Sequence, residues 1–274
     1  MPRRPPVSGE EPHTGEGYLG SVSDLMAALI FVFILTLAVF ALRLAQERQQ
    51  YEDKISKVTQ TRTKMLLEIE RRLVREGIEV EIKTDQGVLH IREKGIYFES
   101  GAPQPTGKYK DNVGTIARVL SDVLPCYASS RKVNAPASAG ATPRLAHCSQ
   151  AVSEPPICEG QDEAWLETVL IEGHTDSEPF KGGLTDNLDL SSARAGAVFR
   201  IMTECEPALE SLSNSNNRQL LGVSGYAERR PVSQTDNALN RRIDLRFMME
   251  LPKEALKDSA VGNIVRAVSE GVSN

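Results

Sequence analysis

Polar and charged side chains are concentrated in residues 173–198, which read GHTDSEPFKGGLTDNLDLSSARAGAV. Within this stretch, the Arg194 guanidinium can hold a carboxylate through two parallel hydrogen bonds. The Asp176 carboxylate can hold an ammonium group, while Asn187 and the more distant Arg242 can complete a polar cleft at the mouth of a sheet. These residue types can bind carboxylate and ammonium groups.

Two other interpretations of these residues compete with ligand binding. His174, Asp176 and Ser191 invite comparison with a hydrolase triad, but the sequence has neither a nucleophile elbow nor an oxyanion-hole glycine motif. We therefore expect no catalytic residue, no cofactor and no enzymatic activity. In the second interpretation, Asp176, Asn187 and Arg194 stabilise the loop and the helix start through a cap and an ion pair.

A single acid, Asp24, lies near the start of a long apolar segment. Residues 25–42 contain no charge, and residues 17–42 would form a helix of roughly 39 Å, long enough to cross a bilayer. A carboxylate within a bilayer is costly and usually functional, so Asp24 is a candidate ion carrier. The alternative is a helix cap in the headgroup layer, a role that Ser21 or Ser23 could fill equally well.

The remainder of the N-terminal third predicts a tail and a stalk. Residues 1–16 are rich in Pro, Gly and charge, which predicts a disordered cytoplasmic tail. Residues 43–76 lack Pro and Gly and predict a helical stalk that ends at Gly77. The stalk has an apolar stripe that suits either self-association or packing on its own domain, formed by Ile55, Val58, Met65, Leu66, Ile69 and Leu73.

Residues 77–252 predict an α/β domain with a mixed sheet and helices. Strands are expected at 78–84, 88–92, 167–172, 220–226 and 243–249, with an extended piece at 96–98 and helices at 111–124 and 191–205. A hairpin turn is expected at 85–87. The last segment, 253–274, predicts a C-terminal helix or tail.

An insertion at 125–164 is rich in Ala, Pro and Ser and carries three of the four cysteines. The four are Cys126, Cys148, Cys158 and Cys205. They contain no CxxC pair, so a structural zinc site is not expected. Two disulfides in an oxidising compartment are favoured, with the pairing open. One alternative is a metal-binding cluster that includes His147. The other is that all four thiols are reduced.

Composition narrows the classes of function. There are 32 basic and 37 acidic residues, a net charge of −5 that argues against a nucleic-acid binder. The negative mean hydropathy excludes a polytopic membrane protein but allows one span. The basic residues that flank the span would place the C-terminal side in the cytoplasm, whereas the cysteines favour the periplasm; we expect the second orientation.

The C-terminal motifs resemble the OmpA-like peptidoglycan-binding family over roughly residues 87–250. The matching positions are Gly173, Thr175, Asp176, Asn187, Leu190, Ser191, Arg194, Ala195, Gly225, Glu228, Pro231, Asn240, Arg241 and Arg242. Ala227 departs from the pattern, since it replaces the family's second glycine. The resemblance implies that Asp176 and Arg194 grip the diaminopimelate of a peptidoglycan stem, with Asn187, Leu190 and Arg242 completing the site.

Together with the membrane segment, this layout resembles MotB-type stator subunits. The segment from Ser23 to Met26 resembles that family's signature, which implies that Asp24 carries the ion, most simply a proton. The aromatic and lysine that usually precede the signature in flagellar stators are missing, so the resemblance is greatest to the MotB-like (ZorB) subunits of the Zorya anti-phage defence system.

The resemblance also implies partners and a location. A homodimer of such chains would pair with a pentameric, polytopic MotA-like (ZorA-like) subunit in a 5:2 complex. The chain would be a single-pass inner-membrane protein with a cytoplasmic N-terminus and a periplasmic domain bound to peptidoglycan. A flagellar or other cell-envelope stator and a passive membrane-to-wall anchor are the alternatives.

Overall fold

The computed structural model describes residues 16–129, 148, 158, 165–178 and 186–251, with side chains from residue 22 onward. Several predicted segments lie outside the described residues: the tail up to residue 15, most of the insertion including His147, and the C-terminal segment 253–274.

One helix, α1 (Glu16–Arg75), contains both the predicted membrane span and the predicted stalk. Its apolar side chains from Leu25 to Leu42 are exposed in this chain; Phe31, for example, is 63% accessible. Within the described residues it is the one helix whose length and composition would allow it to cross a membrane. Such a surface needs lipid or partner helices around it.

The last turns of α1 belong to the compact unit that follows Asp53. Met65, Leu66, Ile69 and Leu73 are fully buried in the hydrophobic core of that unit. Of the two interpretations of the apolar stripe, packing on its own domain therefore accounts for this part of α1.

A five-stranded mixed sheet forms the centre of the domain, in the order β1-β2-β5-β3-β4. Its strands are β1 (Val80–Lys83), β2 (Val88–Ile91), β3 (Leu166–His174), β4 (Leu221–Gly225) and β5 (Arg242–Met249). The predicted hairpin joins β1 and β2 as antiparallel neighbours. β5 lies between β2 and β3 and is antiparallel to both, whereas β3 and β4 are parallel.

Two long helices connect the strands. α2 (Lys108–Val123) precedes a short 3-10 helix (Leu124–Cys126), and α3 (Asn187–Cys205) joins β3 to β4. Two single-turn helices follow, α4 (Ala208–Ser211) and α5 (Asn237–Asn240). The predicted fold class, an N-terminal apolar helix followed by a mixed α/β domain, is confirmed.

The core lies on one face of the sheet. Successive side chains of a strand point to opposite faces, so apolar residues at alternate positions face the same side. In β5, Ile243, Leu245 and Phe247 are fully buried in the same core as Met65 of α1 and Val198 of α3. The intervening residues of β5 are charged and belong to the opposite face.

Two disulfides tie the insertion to the ends of helices. Cys126, at the end of the 3-10 helix, pairs with Cys158, and the two Cα atoms are 5.4 Å apart. Cys148 pairs with Cys205, the last residue of α3, with a Cα separation of 5.1 Å. All four sulfurs are therefore in disulfides, which leaves no thiolate for the alternative metal-binding cluster.

Candidate functional site

A polar cleft of about 560 Å³ opens where β3 ends, beside the first turns of α3. We call it the β3 cleft. It is lined by Tyr97, Phe98, Ser100, Gly101, Thr175, Asp176, Glu178, Asn187, Leu190, Arg194 and Arg241. Four of the five residues predicted to bind the ligand are in this list, and Arg242 is not.

Close backbone packing places the end of β3 against α3. A Cβ atom on Gly173 would lie 2.0 Å from the Ser191 carbonyl oxygen, and one on Gly225 would lie 2.1 Å from Ser192 Oγ. Only glycine lets both strand ends approach the helix this closely. The motif glycines therefore determine the distance between Asp176, just beyond β3, and the residues of α3.

Asp176 is held by Arg241, a residue of the motif that was not predicted to belong to the binding site. Arg241 Nη1 donates to Asp176 Oδ2 at 2.7 Å, and Arg241 Nε donates to Glu93 Oε1 at 2.5 Å. The Glu93 and Asp176 carboxylates raise the pKa of Arg241, so its charge is fixed. Arg241 thus provides the cleft with a positive charge beside the Asp176 carboxylate.

The start of α3 is capped by Asp186 rather than by a residue of the predicted site. Asp186 Oδ1 accepts hydrogen bonds from the Leu188 and Asp189 amides at 2.8 and 2.9 Å. Asn187 instead donates from Nδ2 to the Glu178 carbonyl at 3.0 Å. This bond ties α3 to the segment after β3 and leaves the Asn187 side-chain carbonyl for other partners.

Arg194 is positioned by backbone carbonyls and by an aromatic ring. Its Nε donates to Ala102 O at 3.1 Å and its Nη2 donates to Glu99 O at 3.3 Å. The guanidinium carbon lies 4.9 Å from the centre of the Phe98 ring. Burial lowers the pKa of Arg194 and the Asp176 carboxylate partly offsets this effect. Nη1 is the nitrogen that neither carbonyl bond uses.

Arg242 was expected in the cleft and lies elsewhere. It is 6% exposed, and its Nε donates to both oxygens of Asp244 at 3.0 Å. Arg241 directly precedes β5 in extended backbone, and Arg242 is the first residue of β5; in such backbone the side chains of adjacent residues point to opposite sides. The Asn-Arg-Arg motif pointed to the correct place in the chain, and the alternation assigns its first arginine to the cleft.

The three residues considered as a hydrolase triad do not come together. Ser191 Oγ donates to Leu188 O at 3.0 Å and accepts from the Ala227 amide at 3.0 Å, so it joins α3 to the segment after β4. His174 is buried, with Nε2 3.1 Å from Asp244 Oδ2, whereas Asp176 is paired with Arg241.

Several contributors to the cleft were missed at the level of sequence. Tyr97 and Phe98 come from the segment predicted only as an extended piece, and Glu178 lies two residues beyond Asp176. Nothing in their local pattern marks them as site residues, because the folding of the 97–102 segment onto α3 brings them to the cleft.

No protein-family model matches this chain, and no curated protein matches it. Among solved structures, the chain is similar to a MotB-like protein from Desulfovibrio vulgaris, with 17% identity over 71% of this chain and 98% of that chain and a TM-score of 0.44. It is also similar to a periplasmic domain of Helicobacter pylori MotB, with 16% identity over 71% of this chain and 91% of that chain and a TM-score of 0.39. A third similar structure is the cell wall anchor of the type VI secretion system from Pseudomonas aeruginosa, with 19% identity over 66% of this chain and 95% of that chain and a TM-score of 0.39.

Proposed function

We propose that this chain is a peptidoglycan-anchored subunit of an ion-driven complex in the bacterial inner membrane. The observation that carries the proposal is the β3 cleft, where the buried Arg194 and the Asp176–Arg241 ion pair line the same space. The apolar part of α1 supplies the membrane anchor that such a role requires.

The charges of the cleft suit the diaminopimelate end of a peptidoglycan stem peptide. In the proposed complex, a carboxylate of the ligand binds Arg194 Nη1, because Nε and Nη2 already hold the guanidinium in place. The ammonium group binds Asp176 at Oδ1, which accepts from the Glu178 amide at 3.3 Å, whereas Arg241 donates to the other oxygen, Oδ2. Phe98 and Leu190 pack against the aliphatic carbons.

Sedimentation with purified peptidoglycan tests this site. Arg194→Ala is expected to reduce binding at least tenfold, and Asp176→Asn should reduce it without changing the volume of the side chain. Arg200→Ala is the matched control, since Arg200 is an exposed arginine on the same helix. Free diaminopimelate should compete with peptidoglycan, whereas Nα-acetyl-lysine, which has a free ammonium group with no carboxylate on the same carbon, should not. Binding that survives Arg194→Ala would refute the site.

We further propose that Asp24 carries the ion, most simply a proton. Asp24 lies in α1 immediately before the apolar run, and its side chain is exposed in this chain, which leaves it available to a membrane partner. A single helix cannot enclose a path for ions, so the remaining helices come from a pentameric MotA-like (ZorA-like) subunit. By resemblance, two copies of this chain pair with five copies of the partner.

In this arrangement the N-terminus is cytoplasmic and the cleft is periplasmic, where the two disulfides are stable. Asp24→Asn keeps the shape of the side chain and removes its titration, so it should abolish ion-dependent activity in cells that express it normally. Asp53→Asn removes an exposed acid on the same helix beyond the apolar run and should leave activity unchanged. Full activity of Asp24→Asn would favour a passive anchor instead.

We place this complex in anti-phage defence, as the Zorya resemblance implies, with a flagellar or other cell-envelope stator as the alternative. A plaque assay distinguishes the two. Cells that carry the wild-type chain and its neighbouring genes should resist phage, and the Asp24→Asn and Arg194→Ala variants should lose this resistance. A loss of swimming with unchanged phage sensitivity would assign the chain to a flagellar motor.

A further inference from the structure

A second cavity, of about 400 Å³, lies on the charged face of the sheet. We call it the sheet-face cavity. Its floor is built from alternate residues of the strands that do not face the hydrophobic core: His90 of β2, His174 of β3, and Arg242 and Asp244 of β5. The segment that contains Arg230 and Val232 forms another part of the lining.

The buried carboxylates beneath the cavity each have their own arginine. Asp244 is 1% exposed and receives Arg242 Nε on both oxygens at 3.0 Å. Glu172 is fully buried and receives Arg246 Nε and Nη2 at 2.7 and 2.9 Å. Burial alone would raise the pKa of Asp244, but contacts with His174, His90 and Arg242 hold it well below its usual range. Asp244 is therefore ionised at neutral pH, and Arg242 already balances its negative charge.

The rim adds positive charge beyond these pairs. Lys83 and Arg92 share one partner, Glu81. Arg230 is half exposed; its guanidinium stacks 3.6 Å from the Tyr226 ring centre, and its Nη1 is 3.7 Å from Glu172. Five cations and two carboxylates line the cavity, and Glu172 lies beneath it, so the Lys, Arg, Asp and Glu side chains leave an excess of two positive charges.

One buried group in the floor has no hydrogen bond among the described residues. Neither ring nitrogen of His174 makes one of acceptable geometry, although Nε2 lies 3.1 Å from Asp244 Oδ2. His174 is 2% exposed, and its ring stacks on Tyr226 with centroids 5.5 Å apart. A buried imidazole in this state calls for a further polar partner, and the cavity is where that partner can bind.

A metal ion is the first alternative to consider. Glu172, His174 and Asp244 present ligand atoms within 4.8 Å of one another. However, both carboxylates already bind guanidinium groups, and a divalent cation would lie next to Arg242 and Arg246. Repulsion between like charges in a buried site is costly, so the charges around this cluster select an anion.

We infer that the sheet-face cavity binds a phosphate group. A phosphate dianion matches the excess of two positive charges, and its oxygens can accept from Arg230, from the Arg246 nitrogen not used by Glu172, and from His174. The phosphate could be free or part of a headgroup-like phosphomonoester. The site is separate from the β3 cleft and does not depend on peptidoglycan binding.

Calorimetric titration of the full chain in maltoside micelles tests the inference, with inorganic phosphate, glycerol 3-phosphate, acetate and zinc chloride as separate titrants. Phosphate should bind at least tenfold more tightly than acetate. Arg230→Gln should weaken phosphate binding about tenfold, which corresponds to about 1.4 kcal/mol. The matched control is Arg229→Gln, which removes the same charge from an adjacent exposed residue that does not line the cavity, and it should leave the affinity unchanged.

The arms of the titration separate the outcomes. Tighter binding of glycerol 3-phosphate than of inorganic phosphate assigns the site to a phosphomonoester, and the reverse assigns it to free phosphate. Zinc binding without phosphate binding, or equal effects of the two arginine variants, would overturn the inference. The Asp176→Asn variant should bind phosphate normally, so failure of the peptidoglycan site and failure of this site are distinguishable.

Discussion

Replacing Gly173 with alanine should strongly destabilise the domain, because the new methyl group meets backbone rather than a flexible side chain. The added Cβ would lie 2.0 Å from the Ser191 carbonyl oxygen and 2.8 Å from its carbonyl carbon. Ordinary carbon–oxygen contacts start near 3.3 Å, so β3 and α3 must separate by about 1 Å. Overpacking of this kind typically costs 1–3 kcal/mol, and for rigid backbone we expect about 3 kcal/mol.

Urea unfolding of the full chain in micelles measures this effect. The chain has a single tryptophan, Trp165, which adjoins β3 and therefore reports on the domain. With a slope of about 2 kcal/mol per molar urea, the midpoint should fall by about 1.5 M. Peptidoglycan binding should fall as well, since the same contact sets the distance between Asp176 and α3.

Gly196→Ala is the matched control, because Gly196 lies within α3 and its added Cβ would have no neighbour closer than Arg200 Nη1 at 3.5 Å. Alanine is the better helix former, so this variant should gain about 0.5–1 kcal/mol. The two Gly→Ala changes should therefore shift the midpoint in opposite directions. A Gly173→Ala midpoint within 0.3 M of the wild type would refute the close-approach argument.

Three further predictions concern stability. The pKa of Asp244 is lowered in the folded state, so its ionised carboxylate stabilises the fold above the unfolded value of 3.8, and this stabilisation is lost as the pH falls below that value. Between pH 5 and pH 2, the unfolding free energy of Asp244→Asn should therefore depend less on pH than that of the wild type. An equal pH dependence of the two would contradict this. Loss of the Cys148–Cys205 bond, which closes a 57-residue separation, should cost about 4 kcal/mol on the chain-entropy model, measured by urea unfolding of the Cys148→Ser/Cys205→Ser double variant. Ala227 has a φ of 51°, a backbone conformation that strains alanine but not glycine. Ala227→Gly should therefore raise the unfolding free energy by about 0.5–1 kcal/mol. An unfolding free energy below that of the wild type would show that Ala227 is unstrained.

The elements of the domain could be predicted because their patterns are local. The helix expected at 111–124 is observed at Lys108–Val123, and the strand expected at 243–249 is observed at Arg242–Met249. Alternating or helical spacing of apolar residues fixes such elements before any tertiary contact is known. The order of strands in the sheet, with β5 between β2 and β3, depends on distant pairing and did not follow from these patterns.

The candidate site was predictable to the extent that motifs carried it. Asp176, Asn187 and Arg194 line one cleft, as their types and spacing suggested. The choice between Arg241, which directly precedes β5, and Arg242, which begins it, depended on the exact register of the strand, and a shift of one residue reverses that choice. Phe98 reaches the cleft through a loop that has no pattern of its own.

The cysteines illustrate a different limit. Four cysteines allow three pairings, and nothing in their spacing selects one. The pairing of Cys148 with Cys205 depends on where α3 ends in space. The same holds for Met65 and Leu73, whose spacing suits a partner helix as well as the domain core in which they are buried.

The position of β5 has a consequence for how the domain is made. The last strand of the described chain is the central strand of the sheet. Arg241, just before this strand, lines one cavity, and Arg242, its first residue, lines the other. Until it arrives, β2 and β3 each present an unpaired edge, which favours aggregation. The sheet can therefore close only after the chain has been made as far as residue 249, and we expect a chain that ends earlier to aggregate or be degraded rather than to persist as a subunit with weakened binding.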